Sequence, residues 1–195
     1  MAARTSVLFW RRTDIAGLER LELTVAPDHV AATSMVICLE DGGFRLAHRW
    51  RLGADWRVRR VDVDCWDDRG HRTLRLARGG DGDGTGWEVD GVARPDLDGV
   101  DDVDLSATPF CNTLPIRRVP ATPGRSLTVD TVFIDAPRLT VARSRQRYER
   151  LGPHRLRYVD LGLFAGFSAG LSVDDEGWVD SYEGLFERVA PSPGA

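Results

Sequence analysis

Lysine is absent from the sequence, so all 26 basic side chains are arginine. That excludes a lysine nucleophile or Schiff base and leaves planar guanidinium forks, which suit carboxylates and phosphates, as the only permanent side-chain cations. Cysteine is scarce: Cys38, Cys65 and Cys111 stand far apart with no C-x-x-C pair. The spacing excludes a disulfide framework and a structural zinc site, and three reduced thiols are expected. No apolar run approaches the ~20 residues that a membrane-spanning helix requires. Positive charge is not in excess either, since the formal charge is −4 with a pI near 5.6. Nucleic acid, which is held by neutralising phosphates, is therefore not an expected partner. The opening MAARTSVLFWRR has no apolar core followed by a small-residue cleavage site, so a cytoplasmic location is expected.

Alternation of period two is abundant. Leu21, Leu23 and Val25 alternate with polar residues, as do Phe44, Leu46, His48, Trp50 and Leu52, then Leu74 and Leu76, then Leu127 and Val129. This is the pattern of half-buried antiparallel strands. In WRVRRVDVDCW the parity flips at Arg59 and Arg60, which predicts a β-bulge that keeps Val58 and Val61 on one face. Turn sequences such as APDH, EDGG, DDRGH and TPGR interrupt the runs, and no long segment has helical periodicity. The fold class is all-β: one domain whose many strands need a sandwich, barrel or curled sheet to limit exposed edges. A faint repeat aligns Arg57–Asp62 with Arg155–Asp160 at an offset of 98, each copy followed by a Gly-Trp pair, as a duplicated half-sheet would give.

Catalytic patterns are weak. GFSAG, residues 166–170, matches the nucleophile elbow, but the last histidine, His154, precedes Ser168 and no helix pattern follows. Residues 161–173 read instead as a strand with Leu161, Leu163, Ala165, Phe167, Ala169, Leu171 and Val173 on one face. Asp81, Asp83 and Thr85 begin like a calcium loop, but Val92 stands where the bidentate Glu is required, so a hairpin turn is expected. Asp96, Asp98, Asp101, Asp102 and Asp104 form an acidic loop more in keeping with arginine partners than with a metal. Cys111 beside Asn112 reads as a packed thiol. No cofactor, metal ligand set or catalytic residue is expected.

The arginines raise the binding question. Arg143, Arg145 and Arg147 share a strand face, as do Arg155 and Arg157, and Arg57 and Arg59 form a similar pair. Such a row is either laced to carboxylates on the solvent side or meets a ligand's polar group. Aromatic residues, among them Trp56 and Tyr148, can supply the core or the apolar part of a lumen.

The stretches LDGVDDVDLSATPFCNTLPIRR, SRQRYERLG, LSVDDEGWVDSYEGLFERV and RRTDIAGLERLEL resemble the bacterial family described as putative glycolipid-binding, over about residues 8–189. The resemblance implies a single domain built as a long curled antiparallel sheet, a spiral β-roll, similar in shape to bacterial lipoprotein carriers. It brings no catalytic or binding residues. The expectation is thus one domain over residues 8–189 with a disordered tail at 190–195, binding a lipid or glycolipid in the interior or mouth of the roll without catalysis. A hydrolase using the acidic loop 96–104 and Cys111, or a protein-interaction domain, is the alternative. The residues placed at the binding site are Arg117, Arg118, Arg145, Arg147, Tyr148, Trp56 and Arg59. In the LSATPFCNTLPIRR stretch, Pro109 and Pro115 are expected to stiffen a crossing segment from which a strand begins at the Arg117–Arg118 pair.

Overall fold

The computed structural model describes residues 2–79 and 86–191. The first half of the chain forms β1 (Arg4–Arg12), β2 (Gly17–Val25), β3 (His29–Cys38), β4 (Phe44–Gly53), β5 (Val58–Asp67), β6 (Gly70–Arg78), β7 (Trp87–Val89) and β8 (Val92–Ala93). Then come β9 (Asp102–Leu105), helix α1 (Phe110–Ile116), β10 (Ser126–Asp135), β11 (Thr140–Gly152), β12 (Arg155–Asp160), β13 (Ser168–Val173), β14 (Val179–Tyr182) and β15 (Phe186–Arg188). All fifteen strands belong to one sheet, ordered β8 through β1, then β15 back through β9. The chain therefore starts in the middle of the sheet, builds one wing, crosses to the far edge and returns.

Alternation builds the core directly. Leu8 and Trp10 pair in register with Leu21 and Glu19 across β1 and β2, and all four point inward and are buried. Strand β4 sends Phe44, Leu46, His48, Trp50 and Leu52 the same way. The bulge falls where the parity flip places it: Arg51 pairs with Arg60 but Leu52 with Val58, so Arg59 is the extra residue and both Val58 and Val61 are buried. Beyond the bulge the two repeat copies face differently. Val61 is buried where its counterpart Val159 is half-buried, and Asp62 is half-buried where Asp160 is buried.

The sheet does not close. The first wing reaches the segment leading into β9 through side chains: Arg78, which also holds the Val58 carbonyl of its own wing at 3.0 Å, donates to the Val100 carbonyl at 3.2 Å, and Trp87 Nε1 donates to Val100 O at 2.8 Å. At the other end Arg69 and Arg72 reach Pro137 O at 2.9 and 2.7 Å. Guanidinium forks satisfy carbonyls that no ladder reaches.

Three local expectations are corrected. The sheet is not wholly antiparallel, since β9 runs parallel to β10, which needs the long connection through α1. Residues 105–118 carry a short helix, and Arg117 and Arg118 lie at its end rather than opening a strand. All seven residues of α1 are buried, so no polar stripe marks it. The strand expected over 161–173 is confined to Ser168–Val173. Asp160 diverts the chain, because its Oδ1 accepts from the Gly162 and Phe164 amides at 2.8 and 3.0 Å. Gly162 then passes so close to Ser144 and Arg145 that a Cβ would lie 2.5 Å from each, and Gly166 adopts a φ of +102°. The calcium-loop reading at Asp81 to Thr85 and residues 192–195 of the tail lie outside the described residues. No helix among the described residues is long and apolar enough to cross a membrane.

Candidate functional site

The strand connections place residues 12–17, 38–44, 105–109, 135–140, 161–167 and 182–186 at one end of the roll. A cavity of about 380 Å³ opens there. Its walls near the mouth are apolar: Phe133, Phe164, Phe167, Leu185 and Phe186. Phe164 packs edge-on to Phe133 with ring centroids 5.4 Å apart, so the loop after Asp160 forms one wall. Arg12 and Glu40 sit at the rim, 3.1 Å apart, and Arg12 also holds Asp14 at 2.6 Å.

The buried lining combines Leu105 and Phe186 with the polar residues Thr108, Asn112, Tyr158, Asp160 and Tyr182, and Asp104 stands beside them. Alternation along β9 and β12 delivers Asp104 and Asp160, and helix α1 presents Asn112. Asp104 accepts from the Cys111 thiol at 3.0 Å and from Gln146 Nε2. Gln146 Oε1 accepts from the Tyr148 hydroxyl at 3.1 Å, which in turn accepts from Asn112 Nδ2 at 2.9 Å. The Tyr158 hydroxyl donates to Asp160 at 3.0 Å. Burial raises the Asp104 carboxyl above its ordinary range, and the nearby carboxylates of Asp160 and Asp102 push the same way. Burial raises the Cys111 thiol further, with Asp104 beside it, and raises Tyr148, Tyr158 and Tyr182. The floor is thus a set of hydroxyl, amide and carboxyl groups in low dielectric, with no cation among them.

A second buried polar cluster lies outside this lining. Trp50 Nε1 donates to His48 Nδ1 at 2.8 Å, which leaves the ring proton on Nε2, 3.0 Å from Glu19 Oε1. Ser34 donates to the same oxygen at 2.7 Å. The carboxylate is the shared acceptor of His48 and Ser34, with Trp50 held through His48, an arrangement that ties β2, β3 and β4 together.

The residues placed at a binding site from sequence fall in three places. Trp56, Arg117 and Arg118 gather at the opposite end of the roll, with Arg59 nearby. The Arg117 guanidinium lies 3.8 Å above the Trp56 ring and 5.0 Å from Trp178, and desolvation there lowers its pKa. Trp56 holds a φ of +64°, a strained conformation for a bulky residue, while its amide closes a turn onto Gly53 O at 3.0 Å. Arg118 pairs with the buried Asp102, and Arg59 lies 3.9 Å from Asp55. Two hollows of about 250 and 660 Å³ flank this stack, the larger a groove edged by Arg4, Asp175 and Glu176. Arg145 and Arg147 lie on the outer face, beside Asp130 at 3.7 Å and Glu149 at 2.8 Å. Tyr148 alone points inward, behind the cavity floor.

The acidic loop is mostly laced to arginine. Asp96 pairs with Arg94, Asp101 with Arg57 and Arg78, and Asp102 with Arg118. Cys111 faces a carboxyl instead of a base, so its thiol keeps its proton and is a poor nucleophile. Among the described residues no group of three His, Cys, Asp or Glu side chains is placed to hold a metal. Sequence reasoning missed Asp160, Tyr158, Tyr182 and Phe164 as cavity residues, whereas Phe133 and Phe167 are among the aromatic residues the sequence offers for the core or the apolar part of a lumen. The available signal was Asp160 followed by Gly162, an Asx-turn pattern that ends a strand.

The fold recurs in a crystal structure of a DUF1089 family protein from Pseudomonas aeruginosa. It superposes with a TM-score of 0.75 at 33% identity, over 88% of this chain and 92% of that one. No curated protein matches the chain. The family model described as "Putative glycolipid-binding" matches residues 7–188, which takes in the whole sheet from β2 to β15 and every residue of the cavity lining. The chain belongs to that family.

Proposed function

We propose that the protein binds an amphiphile of the glycolipid class at the mouth end of the roll, without transforming it. The observation that carries this reading is the make-up of the cavity lining, in which buried hydroxyl, amide and carboxyl groups stand beside phenyl rings, two of which, Phe164 and Phe167, are exposed at the surface. A polyol head would find donors in Tyr182 and Asn112 and acceptors in Asp104, Asp160 and the Tyr158 oxygen, whose proton Asp160 takes, with rings available for stacking against its carbon face. A head of negative charge would face two carboxyls, while the cation of the lining, Arg12 at the rim, is already held by Asp14 and Glu40, so it would be disfavoured. The apolar part would lie along Phe164, Phe167 and Leu185 toward the opening. A volume of about 380 Å³ accommodates one headgroup and the first part of a chain, so the remainder of the chain would extend outward.

Titration calorimetry with a short-chain alkyl glucoside below its micellar concentration tests this, with the matching alkyl phosphate as control. One glucoside is expected per protein and no measurable phosphate ester. Leu185→Trp, which fills the apolar wall, is expected to abolish binding. Glucoside binding unaffected by that substitution, or preference for the phosphate, would overturn the reading.

A further inference from the structure

The groove at the far end of the roll, about 660 Å³, is larger than the cavity at the mouth and lies within the size range of small-ligand sites. Its apolar wall is formed by Leu23 and Val25 at the end of β2, Pro27 in the connection to β3, and the rings of Trp56 and Trp178. Arg117, which lies against both rings, also faces the groove. Charge pairing leaves this arginine apart from its neighbours. Arg4 is held by Glu176, Arg57 by Asp101 and Arg118 by Asp102, whereas Arg117 has no carboxylate partner among the described residues. Its Nη2 donates to the Glu176 carbonyl at 3.1 Å, and the other N–H donors of the fork have no acceptor among those residues.

The carboxylates that stand nearest are engaged elsewhere. Glu176 accepts from Arg4 at 2.7 Å and from Trp178 Nε1 at 3.0 Å. Asp174 accepts from Arg188 at 2.6 Å and from the Glu176 and Trp178 amides at 2.9 and 3.0 Å. The Asp175 side chain is 96% exposed, so water and salt screen it. On the other side of the stack Arg57, Arg59, Arg78 and Arg118 face only three carboxylates, Asp55, Asp101 and Asp102. Trp56 adds an independent observation. Its φ of +64° lies in the left-handed region, where glycine would complete the same turn without strain, yet a tryptophan is kept there with its ring 3.8 Å from the Arg117 guanidinium. Strain held at one residue that braces a partly desolvated cation is a feature of ligand clamps.

We infer that this groove is a second binding site, for a monocarboxylate with an apolar body such as a medium-chain fatty acid. The carboxylate pairs with the open edge of the Arg117 fork, and the chain lies along Leu23, Val25, Pro27 and the two indoles. A phosphate monoester is disfavoured, because one unpaired guanidinium offers a single charge while Glu176 and Asp174 stand close enough to oppose a dianion. The site is independent of the one proposed at the mouth, where the lining offers carboxyls and its cation, Arg12, is already paired.

Titration calorimetry at neutral pH with octanoate below its micellar concentration tests the inference, with octyl glucoside as the neutral counterpart. One octanoate is expected per protein, bound about tenfold or more weakly by Arg117→Gln and unchanged in Leu185→Trp. Trp56→Gly is a second variant, which removes the ring while relieving the strained φ, and it is expected to weaken octanoate binding about fivefold or more. Octyl glucoside should show the opposite dependence, lost in Leu185→Trp and kept in Arg117→Gln. No octanoate binding by the wild type, or binding unchanged in both folded variants, overturns the inference. Octanoate binding lost in Leu185→Trp and kept in Arg117→Gln would assign the carboxylate to the mouth cavity and also overturn it. Octanoate binding that depends on Arg117, in a protein that binds no glucoside, supports this site and removes the ligand proposed at the mouth.

Discussion

The two ends of the roll use aromatic residues in opposite ways. At the far end Trp56 and Trp178 close on Arg117, and Trp178 continues through Phe110 to Trp50, with centroid separations of 6.5 and 5.5 Å. The rings there are tied into the core and the cation lies across them. At the mouth end Phe133, Phe164 and Phe167 line a void, and the last two also face solvent. The same residue type stabilises the fold in one place and leaves hydrophobic surface unused in the other. Unused surface in a folded protein points to something that will cover it.

The largest difference between the ends should appear in stability. Trp178→Ala removes a side chain that is 4% exposed and contacts both Trp56 and Phe110, and is expected to cost ~3–5 kcal/mol in urea denaturation. Phe164→Ala at the mouth should cost less than ~1 kcal/mol. Equal costs would dissolve the distinction between a closed end and an open one.

Asp160 lies between these extremes. Asp160→Ala leaves the Gly162 and Phe164 amides and the Tyr158 hydroxyl without their acceptor, at a cost of ~2 kcal/mol, and the loop it anchors should become the first site of proteolysis. A protease-resistant variant of unchanged stability would show that the loop is held by its phenyl contacts alone.

Arg117→Gln tests the closed end from the cation's side. A loss of ~1 kcal/mol is expected, with alkyl glucoside binding unchanged. Impaired glucoside binding in this variant would move the binding site to the wrong end.

Asp104 provides a pH signature. Its carboxyl holds a proton more firmly in the folded than in the unfolded chain, so its contribution to stability is present in acid and declines as pH rises through the raised folded value. Asp104→Asn lacks that decline, so the variant should gain on the wild type as the pH of denaturation is raised from acid to neutral. A constant difference across that range would mean that folding does not shift the titration of this carboxyl. The smallest effect is expected at Arg145→Gln on the outer face, within about 0.5 kcal/mol, because its pairing with Asp130 is exposed and long.

The all-β class and much of the core were legible in sequence because alternation reports facing directly. Even the polar members of the inner set could be read: His48 sits in the same alternating row as Leu46 and Trp50, and all three are buried. The bulge at Arg59 was legible for the same reason, since one extra residue inverts the parity on either side of it. What alternation cannot report is where a strand stops. Residues 161–167 keep the strand-like pattern, yet two amide hydrogen bonds accepted by Asp160 and the tight passage of Gly162 turn the backbone out of the sheet. Helix α1 escaped because it is too short and too buried to show a polar stripe.

The cavity end was harder to read. Attention to the arginine rows led to the outer face and to the Trp56–Arg117 stack, because charge and aromatic residues are conspicuous in a sequence. The cavity is assembled by residues from β9, α1, β10, β12 and the β12–β13 and β14–β15 loops, which only the rolled topology brings together.

Native mass spectrometry of the delipidated protein after exposure to a bacterial total lipid extract tests the central claim most directly, using wild type, Leu185→Trp and Arg117→Gln. The account predicts a one-to-one adduct with a neutral glycolipid in the wild type and in Arg117→Gln, and none in Leu185→Trp. A glycolipid adduct that survives Leu185→Trp and disappears in Arg117→Gln, or no such adduct in the wild type, would contradict it.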